Sequence, residues 1–330
     1  MTYKLCRLYG LKSKKTLREW LEIDDSSFFH RKNIAKNYHP YIDNKENKKR
    51  LIQVSSQKLK FVQTKILGML KKLDYPEYLF SGVKGVSFID NAKQHSGKYY
   101  TFKIDISKFF PNTSRNKVYN FFKKDLNTSS DVATILTDCT TVDLRNYSSD
   151  KHHNEIVNFL EEYKIKQIAH LSTGAPTSML LSFLANRPMF EELNCFCEQR
   201  GYIFTVYADD VTMSSINPIS YSDRNAIIRI AEKYGHFVSK RKVKYYNANQ
   251  SKKITGVVIN KNGEICTPNK LLNKTHNKIL KYKSKNIDEH EVNSLKGCVN
   301  VAYQIDKRFS HLKKVLNKQR IQNYAKLKSK

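Results

Sequence analysis

One short stretch constrains the fold more than any other part of the chain: two apolar, β-branched runs on either side of two adjacent carboxylates. Residues 204–215 read Phe-Thr-Val-Tyr-Ala-Asp-Asp-Val-Thr-Met-Ser-Ser, with Asp209 and Asp210 at the centre. The runs alternate as strands do, and Ala208 and Asp209 fall where a tight turn would join them. Charged groups at the tip of an apolar hairpin are costly unless a cation or substrate uses them. The stretch therefore predicts a hairpin that carries a site.

The net charge narrows the choice of partner. The 330 residues include 59 Lys and Arg against 30 Asp and Glu, a formal charge of +29, with 40% hydrophobic residues. This composition predicts a globular protein of two or three lobes that binds a polyanion, nucleic acid first and an anionic membrane surface second. No apolar run is long enough to span a membrane, and the N-terminus lacks a signal-peptide core. The cysteines have no metal-ligand spacing, which indicates reduced thiols and a cytoplasmic protein.

The rest of the chain alternates between helical and strand-like patterns. Residues 1–48 are predicted to be basic and helical and to end in a turn-rich segment from residue 39, and residues 126–153 to be an insertion or exposed loop. Helices are predicted at 59–70, 116–124, 174–200 and 222–234, and from residue 268 onward. Strands are predicted at 49–54 and 99–106, and a hairpin with an Asn-Gly turn at 253–260 and 264–267. The tail, 317–330, is expected to be partly disordered.

A third carboxylate precedes the acidic pair. Asp105 ends the predicted strand 99–106, within Phe102-Lys-Ile-Asp-Ile-Ser-Lys-Phe-Phe-Pro111. Carboxylates from separate strands that meet at one point are what nucleotidyl transfer with two divalent ions requires. Because successive strand residues face opposite sides, Asp209 is expected to bridge the ions and Asp210 to lie more peripherally.

Between these carboxylates lies a glycine turn followed by a predicted helix. The segment reads Leu171-Ser-Thr-Gly-Ala-Pro-Thr-Ser-Met179. Gly174 would let the backbone approach a base or sugar, and proline with Ser or Thr would open the helix. Alone, the same residues fit a plain capped core helix. Their order between the two acidic segments makes the combination more specific.

Together these segments resemble bacterial reverse transcriptases of the retron type. Tyr207-Ala-Asp-Asp210 resembles the family's Tyr-x-Asp-Asp box, Asn91-Ala-x-x-His95 its Asn-Ala-x-x-His signature, and Ile254-Thr-Gly256 its Val-Thr-Gly signature. Lys49-Arg50-Leu-Ile with Leu59-Lys-Phe-Val-Gln63 resembles the first finger motif. The resemblance runs from about residue 49 to about 316. It departs at the helix-opening motif, where Ser172 and Thr173 replace Pro-Gln and Met179 replaces the last Pro.

The resemblance implies an α+β right-hand polymerase fold. Residues 1–98 would form N-terminal helices and fingers, and residues 99–267 a palm whose antiparallel sheet carries Asp105, Asp209 and Asp210. A finger insertion would occupy about 126–170. Residues 268–330 would form a helical, basic thumb that tracks an RNA–DNA duplex with lysines such as Lys270, Lys281, Lys285 and Lys313.

The resemblance also implies roles for individual residues. The three aspartates would hold two Mg²⁺ ions, or Mn²⁺ as a substitute, with help from the Ile106 backbone. The triphosphate and sugar would be bound by residues that include Ser107, Thr173 and Gly174. Phe110 would exclude a 2′-hydroxyl, whereas Phe109 would be core.

Several of these assignments have a structural alternative. Arg50 would pair with the triphosphate or be a solvated finger charge, and Lys242 would approach the triphosphate or be a surface charge. Asn91 and His95 would fix a loop or contact template RNA. Thr255 and Gly256 would contact RNA or form a strand with a close backbone approach. The replacement of the usual Gln leaves the base-positioning role at Thr173 open.

The implied partners follow from the family. They are a cognate structured noncoding RNA that serves as template and primer, its DNA product, and deoxynucleoside triphosphates. The resemblance further implies priming from an RNA 2′-hydroxyl, multicopy single-stranded DNA as product, an effector protein encoded nearby and antiphage defence. No RNase H-like carboxylate cluster follows Asp210, so a host RNase H would remove the template. No membrane partner is expected in the bacterial cytoplasm.

Three other interpretations remain. One is a reverse transcriptase of the group II intron or unassigned defence type, against which Asn91-Ala-x-x-His95 argues. Another is an RNA-binding scaffold that has lost its chemistry, against which the three intact carboxylates argue. The last is a membrane-surface protein, which the even spread of positive charge along the chain disfavours.

Overall fold

The protein is described by a computed structural model that covers residues 3–45, 48–147, 153–163, 165, 167–284 and 288–316. The chain forms two compact units of mixed helix and sheet. The first unit comprises Met1–Val86, Lys103–Met213 and Ser220–Lys244. The second comprises Ser87–Phe102, Ser214–Ile219 and Tyr245–Lys330.

Helices and short strands follow one another along the chain. The α-helices are α1 (Lys14–Leu21), α2 (Arg31–Ala35), α3 (Gln57–Leu70), α4 (Phe88–Gln94), α5 (Phe109–Asn112), α6 (Arg115–Asn120), α7 (Ser130–Thr140), α8 (His153–Glu162), α9 (Ser178–Ala185), α10 (Arg187–Glu198), α11 (Tyr221–Lys233), α12 (Asn269–Lys283) and α13 (Glu289–Ile305). The strands are β1 (Tyr38–Lys45), β2 (Lys48–Ser55), β3 (Tyr100–Ser107), β4 (Thr141–Asp143), β5 (Ala169–Leu171), β6 (Ile203–Tyr207), β7 (Asp210–Ser215), β8 (Phe237–Val238), β9 (Lys244–Tyr246), β10 (Lys252–Ile254), β11 (Val257–Ile259) and β12 (Ile265–Cys266).

The predicted central strand and acidic hairpin lie in one sheet. Its order is β6-β7-β3-β8, with β9 also paired to β3. Ile104 and Ile106 of β3 and Val211 of β7 have no exposed surface. The sheet therefore keeps apolar residues inside, while the end of β3, the turn between β6 and β7 and the start of β7 carry Asp105, Asp209 and Asp210.

The prediction that residues 39–48 form a turn is wrong. Residues 39–45 belong to β1, which pairs antiparallel with β2 from Tyr38 opposite Ser55 to Lys45 opposite Lys48. A two-stranded ribbon has only edges, so Pro40, which lacks an N–H donor, is tolerated within it. The Tyr38 hydroxyl donates to the Cys139 carbonyl at 2.8 Å, which ties the base of the ribbon to the interior.

Residues 126–153 are predicted to be an insertion or an exposed loop, and the exposed-loop alternative is wrong for the described residues 126–147. Helix α7 occupies 130–140, is capped by the Ser129 side chain, and buries Val132, Ala133 and Leu136. Its threonines misled the sequence interpretation because they are polar. Their hydroxyls donate to carbonyls one turn earlier, as Thr140 does to Leu136 at 2.8 Å, so they can be buried without an unsatisfied group.

Two predicted elements are interrupted. The helix expected through 174–200 divides into α9 and α10 at Asn186, because Pro188 cannot continue the hydrogen-bond pattern of the preceding turn and instead begins a new helix. The strand expected at 253–260 bends into β10 and β11 at Thr255 and Gly256, which have φ of 44° and 89°. The predicted helices 59–70 and 222–234 are present as α3 and α11, and 116–124 as α6 continued by a π-helical turn, Phe121–Asp125.

The second unit is built on small apolar clusters. Ile89 and Ala92 of α4 pack with Ile254, Val257 and Ile259 of the β10–β11 hairpin. The predicted Asn-Gly turn joins β11 to β12, with Gly263 at φ 87°. In α13, Leu295, Val299 and Ala302 are buried, as their spacing predicts. The tail 317–330 and Lys285 lie outside the described residues.

Candidate active site

The turn between β6 and β7 contains a strained residue immediately before Asp209. Two residues, Ala208 and Asp209, connect the strands, and Ala208 has φ 56°, a left-handed conformation that residues other than glycine seldom adopt. Its N–H donates to Ser81 Oγ at 2.9 Å. The Asp209 carbonyl accepts the Ile106 N–H at 2.8 Å. These bonds hold the turn beside the residue that follows Asp105, which indicates a functional constraint rather than a relaxed loop.

Asp105 lies close enough to Asp209 to influence the ionisation of Asp209. Burial and then the negative charge of Asp105 raise the pKa of Asp209 to about 6, while Lys242 lowers it. Ionising Asp209 is therefore unfavourable unless more positive charge arrives.

Asp210 is held differently from Asp209. Its Oδ2 lies 2.5 Å from Lys103 Nζ, and the two side chains are 18% and 17% exposed. Burial raises the pKa of Asp210, and Lys103 opposes the shift. Within the described part of the chain, Asp210 Oδ1 is buried without a hydrogen-bond partner. The two adjacent carboxylates are thus not equivalent, although the bridging role of Asp209 and the peripheral role of Asp210 stay predictions.

Lys242 lies on a carboxylate of the site. It ends a 3₁₀ turn, Lys240–Lys242, after β8, and its Nζ is 2.8 and 2.9 Å from the two oxygens of Asp105. The side chain remains 60% exposed. Lys242 therefore has exposed surface and charge suited to a second anionic partner, and its predicted approach to the triphosphate stays a prediction.

A cavity of about 370 Å³ brings five predicted site residues together. They are Arg50, Phe110, Thr173, Asp209 and Lys242. Phe110 is half-buried at this wall. Phe109 is 3% exposed and contacts Phe190 edge-on at 5.9 Å between ring centroids, so the prediction that Phe109 is core is confirmed.

Lys108 lines the same cavity and was not singled out from the sequence. Its Nζ lies 3.8 Å from the ring centroid of Tyr163 and 5.0 Å from that of Phe159. Burial lowers the pKa of Lys108, and the charges of Lys242 and Arg50 lower it further. The sequence did not indicate a role for Lys108, because its aromatic neighbours, Phe159 and Tyr163, are about 50 residues away in the region predicted to be a finger insertion.

Thr173 and Gly174 contact strand β2 rather than open space. The Thr173 hydroxyl is 2.8 Å from the Leu51 carbonyl and 2.7 Å from Gln53 Oε1. A Cβ on Gly174 would lie 2.3 Å from the Gln53 carbonyl oxygen, so only glycine fits. The backbone at Gly174 lies close to strand β2, and its predicted approach to a base or sugar stays a prediction. Gln53, fully buried and also bonded to His170 at 3.1 Å, was missed because it resembles any other polar strand residue.

Ile106 and Ser107 lie where β3 ends and α5 begins. Ile106 is fully buried and Ser107 is half-buried, with its carbonyl accepting from Asn112 Nδ2 at 3.0 Å. Their predicted contacts with metal and nucleotide stay predictions.

The remaining predicted residues lie in the second unit. Asn91 and His95 have no exposed surface. Asn91 Nδ2 is 3.4 Å from Thr255 Oγ1, whose hydroxyl donates to the Phe88 carbonyl at 2.7 Å. A Cβ on Gly256 would meet no atom within 4 Å, so its requirement is the φ of 89° rather than a close approach.

His95 takes part in a buried chain of polar groups. His95 Nδ1 and Ser214 Oγ are 2.8 Å apart, Ser214 Oγ and Thr101 Oγ1 are 2.9 Å apart, and Lys252 Nζ donates to Thr101 Oγ1 at 3.2 Å. Burial and the charge of Lys252 lower the pKa of His95 to about 3, so it is neutral. Burial of Asn91 and His95 favours the loop-fixing alternative, and direct RNA contact by these residues, Thr255 or Gly256 stays a prediction.

The carboxylates have the chemistry of a divalent-cation site. Among the described residues, no three His, Cys, Asp or Glu side chains are arranged to hold a metal ion. Still, three features indicate that added positive charge would stabilise this site. Asp210 has a buried oxygen without a partner, the pKa of Asp209 is raised, and the Lys242 ammonium is bonded to Asp105. Oxygen ligands of this type suit Mg²⁺ and similar hard cations, so the residues fit such an ion.

A sheet that presents carboxylates at strand ends beside a cation-lined cavity has the architecture of a nucleic-acid polymerase palm. A sequence model described as "Reverse transcriptase (RNA-dependent DNA polymerase)" matches residues 42–259. The chain belongs to this family of RNA-directed DNA polymerases, and it is similar to curated reverse transcriptases of the bacterial retron type. The predicted family, enzyme class and right-hand polymerase fold are confirmed.

Three relatives illustrate the retron similarity. The Retron Ec83 reverse transcriptase of Escherichia coli is 22% identical over 79% of this chain and 80% of its own length. The Retron Se72 reverse transcriptase of Salmonella heidelberg (strain 579083-10) is 28% identical over 56% of this chain and 43% of its own. The Retron Ec86 reverse transcriptase of Escherichia coli is 27% identical over 65% of this chain and 59% of its own. The matches to the last two thus span less than two thirds of those proteins.

Solved structures overlay less closely. Telomerase from Candida albicans, bound to a fragment of telomeric RNA, is 13% identical over 82% of this chain and 55% of its own, with a TM-score of 0.46. A foamy viral protease-reverse transcriptase bound to double-stranded DNA is 15% identical over 86% of this chain and 38% of its own, with a TM-score of 0.44. The family match, not these overlays, carries the fold assignment.

In the described residues no helix is long and apolar enough to cross a membrane.

Proposed function

We propose that this protein copies RNA into DNA with Asp105, Asp209 and Asp210 as the catalytic carboxylates. The observation that carries the proposal is the hydrogen bond from the Ile106 N–H to the Asp209 carbonyl, because it fixes the acidic turn beside the end of the strand that carries Asp105. Members of the family use an RNA template, nucleotide substrates and divalent metal ions.

Each carboxylate has a distinct task in the proposed reaction. Asp105 and Asp209 would hold two Mg²⁺ ions, or Mn²⁺ in their place, with the Ile106 backbone nearby. Bound there, the ions would activate the primer hydroxyl and stabilise the charge of the leaving pyrophosphate. Asp210, tied to Lys103, would keep its free oxygen available at the edge of this group.

The cavity beside Asp209 would bind the incoming nucleotide. Arg50 and Lys242 would neutralise the triphosphate, with the Ser107 backbone beside them. Phe110 would pack under the sugar and exclude a 2′-hydroxyl. Because the Thr173 hydroxyl is engaged by Gln53, Thr173 and Gly174 would act through the position of this wall rather than by reading a base.

The proposed template is a structured noncoding RNA encoded with the protein. Retron similarity supports priming from an RNA 2′-hydroxyl, a branched RNA–DNA product, a nearby effector protein, antiphage defence, a host RNase H for template removal and a cytoplasmic setting. The division into N-terminal helices and fingers (1–98), palm (99–267) and thumb (268–330) is part of the same proposal. Lysines along α12, a helix of the second unit, would contact the phosphates of the duplex.

The test is RNA-templated DNA synthesis by Asp209→Asn. With an RNA template, a DNA primer and Mg²⁺, we expect the rate to fall by about a thousandfold or more, since metal stabilisation of the transition state is worth several kcal/mol. RNA binding should survive. Asp24→Asn, the same change at an exposed carboxylate, should keep full activity. Wild-type synthesis by the Asp209 variant would refute the assignment.

A second measurement separates the retron from other reverse transcriptases and from a silent scaffold. Nucleic acid that copurifies with the protein from its own host would be sequenced and treated with a 2′-5′ debranching activity. Release of single-stranded DNA from RNA by this treatment supports the retron proposal. Active enzyme without branched DNA would refute it, and inactive wild-type protein that still binds RNA would favour the scaffold.

A further inference from the structure

Lys108 occupies a backbone conformation that lysine rarely adopts. Its φ of 49° and ψ of 46° lie in the left-handed region. Two contacts from Asn112 maintain the turn: its N–H donates to the Lys108 carbonyl at 2.9 Å, and its Nδ2 donates to the Ser107 carbonyl at 3.0 Å. Strain of this kind persists only where the surroundings enforce it, and it is concentrated at ligand sites.

An aromatic pair holds the Lys108 side chain. Its ammonium nitrogen lies 3.8 Å from the Tyr163 ring centroid and 5.0 Å from that of Phe159, within the range of a cation–π interaction. The two rings are 4.5 Å apart, and Phe159 is 3% exposed. The pair fixes the position of the ammonium without neutralising it, as a carboxylate would.

The charges around the cavity are unbalanced. Arg50, Lys108 and Lys242 line the same 370 Å³ space as Asp209. Lys242 is paired with Asp105, whereas Arg50 and Lys108 form no ion pair with any residue that the structure describes. Of the three acids on α8, Glu162 is the one whose charge acts on Lys108, where it raises the pKa, and it is itself bonded to Lys49 at 2.9 Å. A small ligand with several negative charges would complete this arrangement.

We propose that Lys108 binds the triphosphate of the incoming nucleotide, with Phe159 and Tyr163 as positioning residues that hold its ammonium. This assignment rests on the proposed function, because the nucleotide must place its triphosphate beside the catalytic carboxylates. Template RNA fits less well, since the cations share a small cavity with Asp209 and Phe110 rather than following an open groove.

The test compares Lys108→Gly with the wild type in RNA-templated synthesis. Glycine adopts the left-handed backbone without strain, so the variant removes the ammonium and keeps the turn. We expect the KM for deoxynucleotide to rise about tenfold or more with kcat within about threefold, the size of one lost hydrogen bond to a charged group. Lys108→Arg should recover most of the loss, and Tyr163→Leu should show a smaller rise in KM.

Controls make the result specific. Lys261→Gly, a change at an exposed turn lysine that does not line the cavity, should leave KM unchanged. An unchanged KM in Lys108→Gly would overturn the proposal. If template–primer binding is also weaker in this variant, Lys108 contacts the nucleic acid backbone instead of the nucleotide.

A binding measurement distinguishes failure of this proposal from failure of the proposed function. Calorimetric titration with inorganic tripolyphosphate requires no synthesis. If the wild type makes no DNA, the proposed function fails, yet Lys108→Gly should still bind tripolyphosphate about tenfold or more weakly than the wild type. Equal binding by both proteins would overturn the role of Lys108 by itself.

Discussion

Two regions of the molecule contain buried polar residues that match family motifs, and they differ in whether their polar groups are satisfied. The carboxylate turn, Asp209 and Asp210 with Asp105, carries an unpaired buried oxygen, a raised pKa at Asp209 and a left-handed Ala208. The His95 cluster of His95, Ser214, Thr101 and Lys252 links each member to the next by hydrogen bonds. Each region contains a motif residue, but among the described residues only the first contains a carboxylate oxygen that is buried without a hydrogen-bond partner.

This difference distinguishes a candidate functional site from buried polar residues that stabilise the fold. A polar group that is buried and bonded stabilises the fold and leaves nothing for a ligand. A group that is buried and unsatisfied lowers stability until a partner arrives, which is the usual condition of a binding or catalytic site. We therefore expect substitutions in the two regions to change stability in opposite directions.

The largest stability effect is expected at two neighbouring residues, Phe109 and Phe110, of which the first is buried and the second half-buried. Phe109 is buried against Phe190, so Phe109→Ala should lower the free energy of unfolding by about 3–5 kcal/mol. Phe110 is half-buried at the cavity, so Phe110→Ala should cost much less stability but reduce discrimination against ribonucleotides about tenfold or more. Urea unfolding and competition between ribo- and deoxynucleotides measure the two effects.

An equal stability loss in both variants, with unchanged sugar discrimination, would contradict this division of roles. If Phe109→Ala does not fold, Phe109→Leu provides the comparison at about 1 kcal/mol.

The next effect concerns the His95 cluster. His95→Ala removes a fully buried ring and its hydrogen bond to Ser214, and should lower the free energy of unfolding by about 2–3 kcal/mol. DNA synthesis per folded molecule should stay within about threefold of the wild type, because the ring has no exposed surface for RNA. Urea unfolding and synthesis normalised to folded protein check this prediction. A stable variant that has lost template binding would instead assign His95 to RNA.

The sequence predicted the elements whose residue pattern is local. Strand β3, the acidic hairpin and helices α3, α11 and α13 follow from apolar spacing and end signals that lie within each segment. The carboxylates and their order were also visible, since aspartates at the ends of apolar strands are conspicuous in any sequence.

The features that the sequence did not predict depend on distant partners. Helix α7 appeared to be a loop because nothing local shows that its threonines bond to their own helix carbonyls. The need for glycine at 174 comes from the Gln53 carbonyl in another strand. The role proposed for Lys108 depends on Tyr163 and Phe159, which no spacing rule connects to it.

The smallest expected effect is a pH-dependent change in the free energy of unfolding, caused by Asp209. The pKa of Asp209 is about 6 in the fold, against an ordinary value near 3.8. The folded protein therefore binds more protons than the unfolded chain between these values, and ionisation of Asp209 lowers stability as pH rises from about 4 to about 6. Above this window the penalty is fully present, about 1–3 kcal/mol. Asparagine cannot ionise and should escape it.

The most direct measurement is the change in urea unfolding free energy on Asp209→Asn, at pH 7 and pH 4, in chelator. We expect the variant to be more stable than the wild type at pH 7 by about 1–3 kcal/mol and nearly equal to it at pH 4. Asp24→Asn, the same change at an exposed carboxylate, is the matched control. If Asp209→Asn is less stable than the wild type at pH 7, the carboxylate is a satisfied structural group, and the claim that this turn awaits a cation is wrong.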